Sequence, residues 1–465
     1  MYKKAIDFDL FLESICRLKS LRYYSLQHIL LPSAFDIQYK VRMKKILFTF
    51  FCLLLSTRAD ARIEILIDSA ADKKFPIAVP GFVNSDGSSA GGLAESMAAL
   101  LQKDLRLAGI FEVLTDERLP RVDSDVTQIN FDKWKALQAG ALVKGVVDRV
   151  HGETVMQLRL YDVAAGKMLL GKQYSVDAKN MVDAAHRFVD GLMKELTGFR
   201  GPFESRIAAS CGKTFKRQIL TFEMDGERSG KFTSGGVNNI SPAWSPDGTR
   251  IAYTSFQTRF PEIFVSSGGA GKQVTSFRST TITPAWIPDG NSLVVASAKN
   301  SDTELYRIGL NGQVLSQLTR SPNIDLSPSF SPDGRMAFSS ERAGGLHLFS
   351  MSADGGPATR LTFVGYQNDQ ADWSPDGHKI VFTSRDRGAF DVFVMDSDGS
   401  NIERLTRDEG NNESPNWSPD SRYIVFSSNR RGGLYVMLDD GSNQTFIPKS
   451  EGCINPDWGP WMSPE

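Results

Sequence analysis

After residue 205 the apolar and polar positions of the chain fall into units of one length. In each unit an aromatic residue precedes a Pro-Asp turn, and a run of apolar residues follows it. The copies are PAWSPDGTRIAYTS (242–255), PAWIPDGNSLVVAS (284–297), PSFSPDGRMAFSS (328–340), DWSPDGHKIVFTS (372–384) and PNWSPDSRYIVFSS (415–428). Proline presets φ and Asp-Gly tolerates unusual φ, so each copy predicts an antiparallel β-hairpin. A second apolar run comes next, as in EIFVSS (262–267) and DVFVMD (391–396). A polar turn such as DSDGSN (396–401) leads to a fourth run, as in QVTSF (273–277), SQLTR (316–320), TRLTF (359–363) and ERLTR (403–407). The aromatic anchors Trp244, Trp286, Phe330, Trp373, Trp417 and Trp458 are spaced 41 to 44 residues apart. Four short strands in such a period predict the blade of a β-propeller.

The ends of the array predict how the ring closes. RIAAS (206–210) matches the second strand of a repeat but has no anchor before it, and Trp458 is an anchor with no second strand after it. One blade built from both ends gives a six-bladed β-propeller of four-stranded antiparallel blades over 206–465; the alternative is an open solenoid. Cys211 follows the orphan strand and Cys453 precedes the orphan anchor, at the positions of Ser255 and Asn239 in the intact hairpin. Those positions lie opposite each other within about one residue of register, where Cβ atoms of paired strands are about 4.5–5.5 Å apart. The expectation is a Cys211–Cys453 disulfide stapling the closing blade, against two free buried thiols.

Residues 62–200 lack the repeat and read as a small α/β domain. RIEILI (62–67) and PIAVPGF (76–82) are strand-like, and Ala94–Leu107 has helical spacing. FDKWKALQAG (131–140) predicts a shorter helix. Residues 141–176 predict a strand meander turning at His151-Gly152 and Ala165-Gly166, and Asn180–Leu196 a long helix ended by Gly198. GFRGPFES (198–205) reads as a short linker to the propeller.

The first residues predict export. Met43-Lys44-Lys45, an apolar stretch over 46–55 and Ala59-Asp60-Ala61 have the layout of a secretory signal peptide over 43–61, too short to span a bilayer. Such signals act at an N-terminus, so translation is expected to start at Met43, with 1–42 an upstream artefact. Without residues 1–61 the chain carries 43 basic and 49 acidic residues, net −6. That charge points away from nucleic acid and anionic membrane surfaces, and no second hydrophobic span is present.

The sequence offers no catalytic constellation. GSSAG (87–91) satisfies G-x-S-x-G, but it sits in a Gly/Ser-rich loop without the strand–turn–helix context of a nucleophile elbow. His151, His186, His347 and His378 are isolated in sequence, and His186 is expected in a packing or surface role. No His/Cys/carboxylate spacing predicts a metal site, and DSDGSN and LDDGSN (438–443) lack the ligand set of a calcium loop and read as turns. The expectation is no enzyme and no cofactor. Binding is expected in the loops before each anchor: VNNIS (237–241), STTIT (279–283), NIDLS (323–327), YQNDQ (366–370), GNNES (410–414) and GCIN (452–455). They open onto one mouth of the central channel and are rich in short polar side chains, which are also ordinary turn formers. The strand-prone 62–68 is a second candidate, either an ordinary first strand or an added strand for a partner.

The signal peptide, the start RIEILIDSAADKKFPIAVPGF, the α/β domain and the PxWSPDG propeller, in that order, resemble the TolB family of the Tol–Pal envelope system over 62–465. The resemblance implies a periplasmic, non-enzymatic and monomeric interaction protein. It implies that Arg62, Ile63, Glu64, Ile65, Leu66, Ile67 and Asp68 contact the C-terminal domain of TolA. It implies a site for the lipoprotein Pal at the propeller mouth: Thr280, Thr281, Thr283, Asn323, Asp325, Gln367, Asn368, Asp369, Asn411, Asn412 and Glu413. It further implies a role in outer-membrane integrity and constriction at division, and exploitation by colicins. Ile287 and Ser421 depart from the SPDG phrase.

Overall fold

Each Pro-Asp-Gly phrase does form a hairpin, and its serine explains how. In the computed structural model, Ser374 Oγ donates to Asp376 Oδ1 at 2.6 Å and accepts the Lys379 N–H at 2.9 Å, while Gly377 takes φ +76°. Ser245, Ser331 and Ser418 repeat the arrangement. Ile287 lacks the hydroxyl, and there the turn keeps Asp289 accepting the Asn291 N–H. Ser421 stands where the other copies have glycine and takes φ +60° itself. The structure describes residues 74–463 apart from 87, 89, 115–128, 386, 387 and 408. The signal segment and Arg62–Asp68 lie outside the described residues.

The described residues contain six four-stranded antiparallel sheets arranged as blades. Blades 1 to 5 open with the inner strands Asn239–Trp244, Thr281–Trp286, Asp325–Phe330, Gln367–Trp373 and Asn412–Trp417. Blade 6 takes its inner strand, Cys453–Trp461, from the C-terminal end and its other three from 205–231. The ring therefore closes through both ends of the domain, as the orphan strand and orphan anchor predict. Fourth strands are shorter and earlier than the sequence suggests: Thr359–Arg360 and Glu403–Arg404 pair for two residues. The Leu-Thr that follows leaves the ladder because the threonine has other partners: Thr406 Oγ1 accepts the Val392 N–H and donates to Asp391. Anchors act between blades. Trp286 packs among Ala243, Ile263 and Val274 of blade 1, and Trp417 among Val381, Val392 and Leu405 of blade 4.

The α/β part is a mixed sheet. Strands β1 (Phe75–Ala78) and β2 (Val83–Asn84) are followed by helix α1 (Leu93–Leu107) and β3 (Phe111–Leu114). Helix α2 (Phe131–Ala136) precedes the meander β4 (Ala141–Val150), β5 (Glu153–Asp162) and β6 (Lys167–Ser175), and helix α3 is Met181–Thr197. The strand order is β3-β1-β4-β5-β6, with β2 pairing β4. Within PIAVPGF only Pro76–Ala78 is strand, as part of β1; β2 begins at Val83, after the break at Pro80-Gly81, where proline cannot donate to a ladder. Gly198, in the left-handed region at φ +80°, caps α3.

The two parts share one core. Leu105, Ala108 and Ile110 of the α/β part join Tyr423, Val425, Leu434 and Leu438 of blade 5 and Phe222 and Met224 of blade 6. Burying each large apolar side chain contributes about 1.5–3 kcal/mol. Gly109, at φ +79°, lets the chain touch the propeller, for a Cβ there would lie 2.6 Å from Asn443 Nδ2. The 198–205 connection is itself tied down. Asp190 accepts the Phe203 and Glu204 N–H groups at 2.9 and 3.0 Å, and Trp461 Nε1 donates to Gly201 O. The α/β part therefore covers the hairpin-turn end of blades 5 and 6. Among the described residues, none of these contacts falls at the opposite mouth, where the inner strands begin.

Candidate functional site

The central channel has a volume of about 490 Å3, and every blade lines it with the start of its hairpin. At one position in each inner strand a non-glycine residue adopts the left-handed conformation: Ser241, Thr283, Ser327, Gln370, Ser414 and Asn455, at φ +46° to +56°. Each sits where the pairing register shifts. Left-handed backbone costs a non-glycine residue about 1–2 kcal/mol, so the ring over-determines it. Neighbouring blades do so by hydrogen bonds: Gln370 Oε1 accepts the Ser414 N–H at 2.9 Å, and Asn455 Nδ2 donates to Ser414 Oγ at 3.1 Å. No sequence reading above anticipated this ring. Its trace is the Ser-Pro, Thr-Pro or Asn-Pro dipeptide in five of the six copies, and a residue before proline is normally extended.

In blades 3 to 6 the residue before the anchor reaches into the next blade. Asp372 Oδ2 accepts the Trp417 N–H at 2.9 Å, Asn416 Oδ1 the Trp458 N–H at 2.6 Å, and Asp457 Oδ2 the Trp244 N–H at 2.6 Å. Ser329 Oγ accepts the Trp373 N–H and donates to Asp372 Oδ1. Blades 1 and 2 have Ala243 and Ala285 there, so the channel wall is polar on one side only. Enclosure by protein pushes the Asp372 carboxyl up to about 7 and that of Asp457 up to about 7, the second with a contribution from Asp372.

The eleven mouth residues divide into two groups. Thr281, Asp325, Asn368 and Asn412 are buried and bonded within the propeller, Asn412 to the blade before its own. Thr281 bonds Ser297, Asp325 takes Ser321 and Arg342, Asn368 takes Ser384 and gives to Val364 O, and Asn412 gives to Asp391. Their side chains thus already have hydrogen-bond partners within the propeller. Thr280 and Asn323 are exposed, Gln367, Asp369, Asn411 and Glu413 are half-buried, and Thr283, also half-buried, lines the channel. His347, isolated in sequence, belongs to the structural group: its Nδ1 faces Asn368 and Thr362, and burial keeps its pKa low.

Around these polar residues the mouth is apolar and basic. Phe363, Val364 and Tyr366 are 71%, 69% and 70% exposed, and Phe215, Phe256 and Phe260 are exposed on the same rim. The end of the second strand or the turn after it carries a cation in every blade: Arg259, Lys299, Arg342, Arg385, Arg430 and, in blade 6, Lys213. Several lie over aromatics, as Arg259 does over Phe260 at 5.7 Å and Arg385 over Phe390 at 4.5 Å, and Arg360 of a fourth strand lies over Phe363 at 5.0 Å. In the sequence this rim shows only as the apolar FVGY (363–366) before the polar QNDQ.

Away from the mouth, the structure assembles a cluster that sequence spacing hides. His186 of α3 is buried rather than on the surface. Its Nε2 lies 3.2 Å from Asp225 Oδ2 of the blade 6 turn and 3.7 Å from Asp104 Oδ2 of α1. Its Nδ1 faces Glu223 at 4.0 Å. Sequence spacing does not bring this cluster together because the three residues come from separate elements.

Comparison with known proteins follows the same outline. A family profile described as "TolB beta propeller domain" matches residues 193–462, and one described as "TolB amino-terminal domain" matches 63–169. A relative named Tol-Pal system protein TolB from Hahella chejuensis is 34% identical over 244 residues, 51% of this chain and 56% of its own length. One of the same name from Bordetella parapertussis is 32% identical over 309 residues, covering 64% of this chain and 68% of its own. The chain thus spans little more than half of the first relative and about two thirds of the second. The crystal structure of TolB from Acinetobacter baumannii superposes with a TM-score of 0.73 at 28% identity, over 84% of this chain and 97% of that one. No helix among the described residues is long and apolar enough to cross a membrane.

Proposed function

The chain belongs to the TolB family of Tol–Pal system proteins, and from that premise we propose that it is a non-enzymatic periplasmic adaptor. It binds Pal at the propeller mouth where the inner strands begin and the C-terminal domain of TolA through Arg62–Asp68, and so supports outer-membrane integrity and constriction during division. A colicin segment competes for the same mouth. The observation that carries the reading is the mouth itself. None of the contacts described for the α/β part falls there, and it presents exposed Phe363, Val364 and Tyr366 beside Thr280, Asn323 and Asn411, with a cation on every blade. An exposed apolar patch with a polar rim is what a protein-binding surface requires. Arg62–Asp68 becomes an end only after cleavage, and it is short and strand-prone, as an added strand must be. The two sites lie on one chain whose α/β part and propeller share a core, so a coupling between them is reciprocal.

Calorimetric titration of the mature chain with the periplasmic domain of Pal, repeated without residues 62–73, tests this. Binding that changes on truncation supports both the partner and the coupling. Binding indifferent to truncation keeps the partner and discards the coupling, and absence of binding overturns the assignment of Pal.

A further inference from the structure

We propose that Asp104, His186 and Asp225 form a divalent transition-metal site that pins the α/β part to blade 6. The three ligand atoms lie within 4.8 Å of one another, and all three residues are buried. The carboxylate of Asp104 is the anomaly. It is fully buried on the apolar face of α1, and neither oxygen has a hydrogen-bond partner. A carboxylate buried without hydrogen-bond partners is unfavourable as an anion, and a bound cation would satisfy it.

Neighbouring cations do not supply what Asp104 lacks. His186 Nε2 is at hydrogen-bond distance from Asp225, 3.2 Å, but stands 3.7 Å from Asp104. Lys103 is half-exposed and turned to Glu227 and the Asp225 carbonyl. Arg228 is held by Asp183 and Glu223. Three carboxylates, Asp104, Asp225 and Glu223, thus converge on one imidazole.

The donor set suits a metal such as Zn2+. A tetrahedral zinc with bonds of about 2.0–2.2 Å holds its ligand atoms about 3.3–3.5 Å apart. The two Nε2–oxygen separations, 3.2 and 3.7 Å, bracket that edge. The surroundings resemble the outer shell of a metal centre. Glu223 faces the other nitrogen of His186, Asp225 Oδ1 is fixed by the Glu227 N–H at 3.0 Å, and Phe203 packs on the imidazole. Both oxygens of Asp104 are free to bind.

The test is a titration of the purified, chelator-stripped chain with ZnCl2, reading bound zinc after dialysis and the melting temperature in zinc and in EDTA. The expected result is one zinc per chain, a higher melting temperature in zinc than in EDTA, and at least tenfold weaker binding in Asp104→Asn and His186→Gln. The exposed His378→Gln should bind as the wild type does. Should the variants fail to fold, X-ray absorption at the zinc edge of the wild type decides: one imidazole among oxygen ligands supports the site, and sulfur ligation overturns it. No retained zinc with equal melting temperatures overturns it as well, leaving an ion-pair junction. Folded variants that keep wild-type affinity also overturn it.

Discussion

Cys453 of the last inner strand pairs directly with Cys211, and the two are joined as a disulfide whose partners lie 242 residues apart. In blade 1 the same two positions are Asn239 and Ser255, in the same register. The bond therefore sits at the only blade whose strands come from both ends of the domain, the seam at which the ring can open. Cross-linking so long a loop contributes about 2–5 kcal/mol. Cys211→Ser with Cys453→Ser should lower thermal stability by that order and raise protease sensitivity first within 205–231. Equal stability of the reduced and oxidised wild type would show that the seam is held by its hydrogen bonds and packing alone.

The channel carboxyls predict a pH dependence. Asp372 and Asp457 have folded pKa values raised to about 7, so their favourable contribution is complete at low pH. It is lost as pH rises from about 4 through about 7, because the native state then holds protons that the unfolded chain has released. Other carboxylates with lowered pKa values, such as Asp247 at about 2, act in the opposite sense at lower pH. Asp372→Asn with Asp457→Asn should flatten the fall between pH 5 and 8 and raise the melting temperature at pH 7.5 by about 1–3 °C. A slope unchanged in the double variant, read by calorimetry across that range, would assign the dependence to other groups.

At the mouth, Phe363→Ala with Tyr366→Ala should weaken Pal binding at least tenfold while leaving melting within about 1 °C. Both side chains are mostly exposed and contribute little to the core. Asn368→Ala should do the reverse. It removes an amide that bonds Ser384 and Val364 within blade 4, and it should cost about 1–3 kcal/mol of stability. Paired calorimetry and thermal melts separate the two behaviours.

The interface between the parts combines its shared apolar core with polar contacts. Tyr423 Oη donates to Ala108 O at 2.9 Å from a fully enclosed position in blade 5. Tyr423→Phe keeps the packing and leaves that carbonyl without its donor, so a loss of about 1–3 kcal/mol in denaturant unfolding is expected. No loss would mean that another donor replaces the hydroxyl.

What the sequence determined by itself was whatever depends on local chemistry repeated along the chain. Turn residues at fixed offsets, with apolar runs between them, specify hairpins. A regular period specifies blades, because a strand pair cannot bury its faces until a neighbour stacks on it. The missing halves at the two ends even fixed how the ring closes and which strand positions Cys211 and Cys453 occupy. Burial within the mouth was not legible. Asn368 and Asn411 read alike in their loops, yet one side chain turns into its blade and the other stays at the rim, because strand register and not residue type sets the direction. Nor was the ring of six left-handed residues, each held by the blade beside it. Only tertiary packing decided the meeting of Asp104, His186 and Asp225, since each comes from a different element and burial alone makes their charges matter.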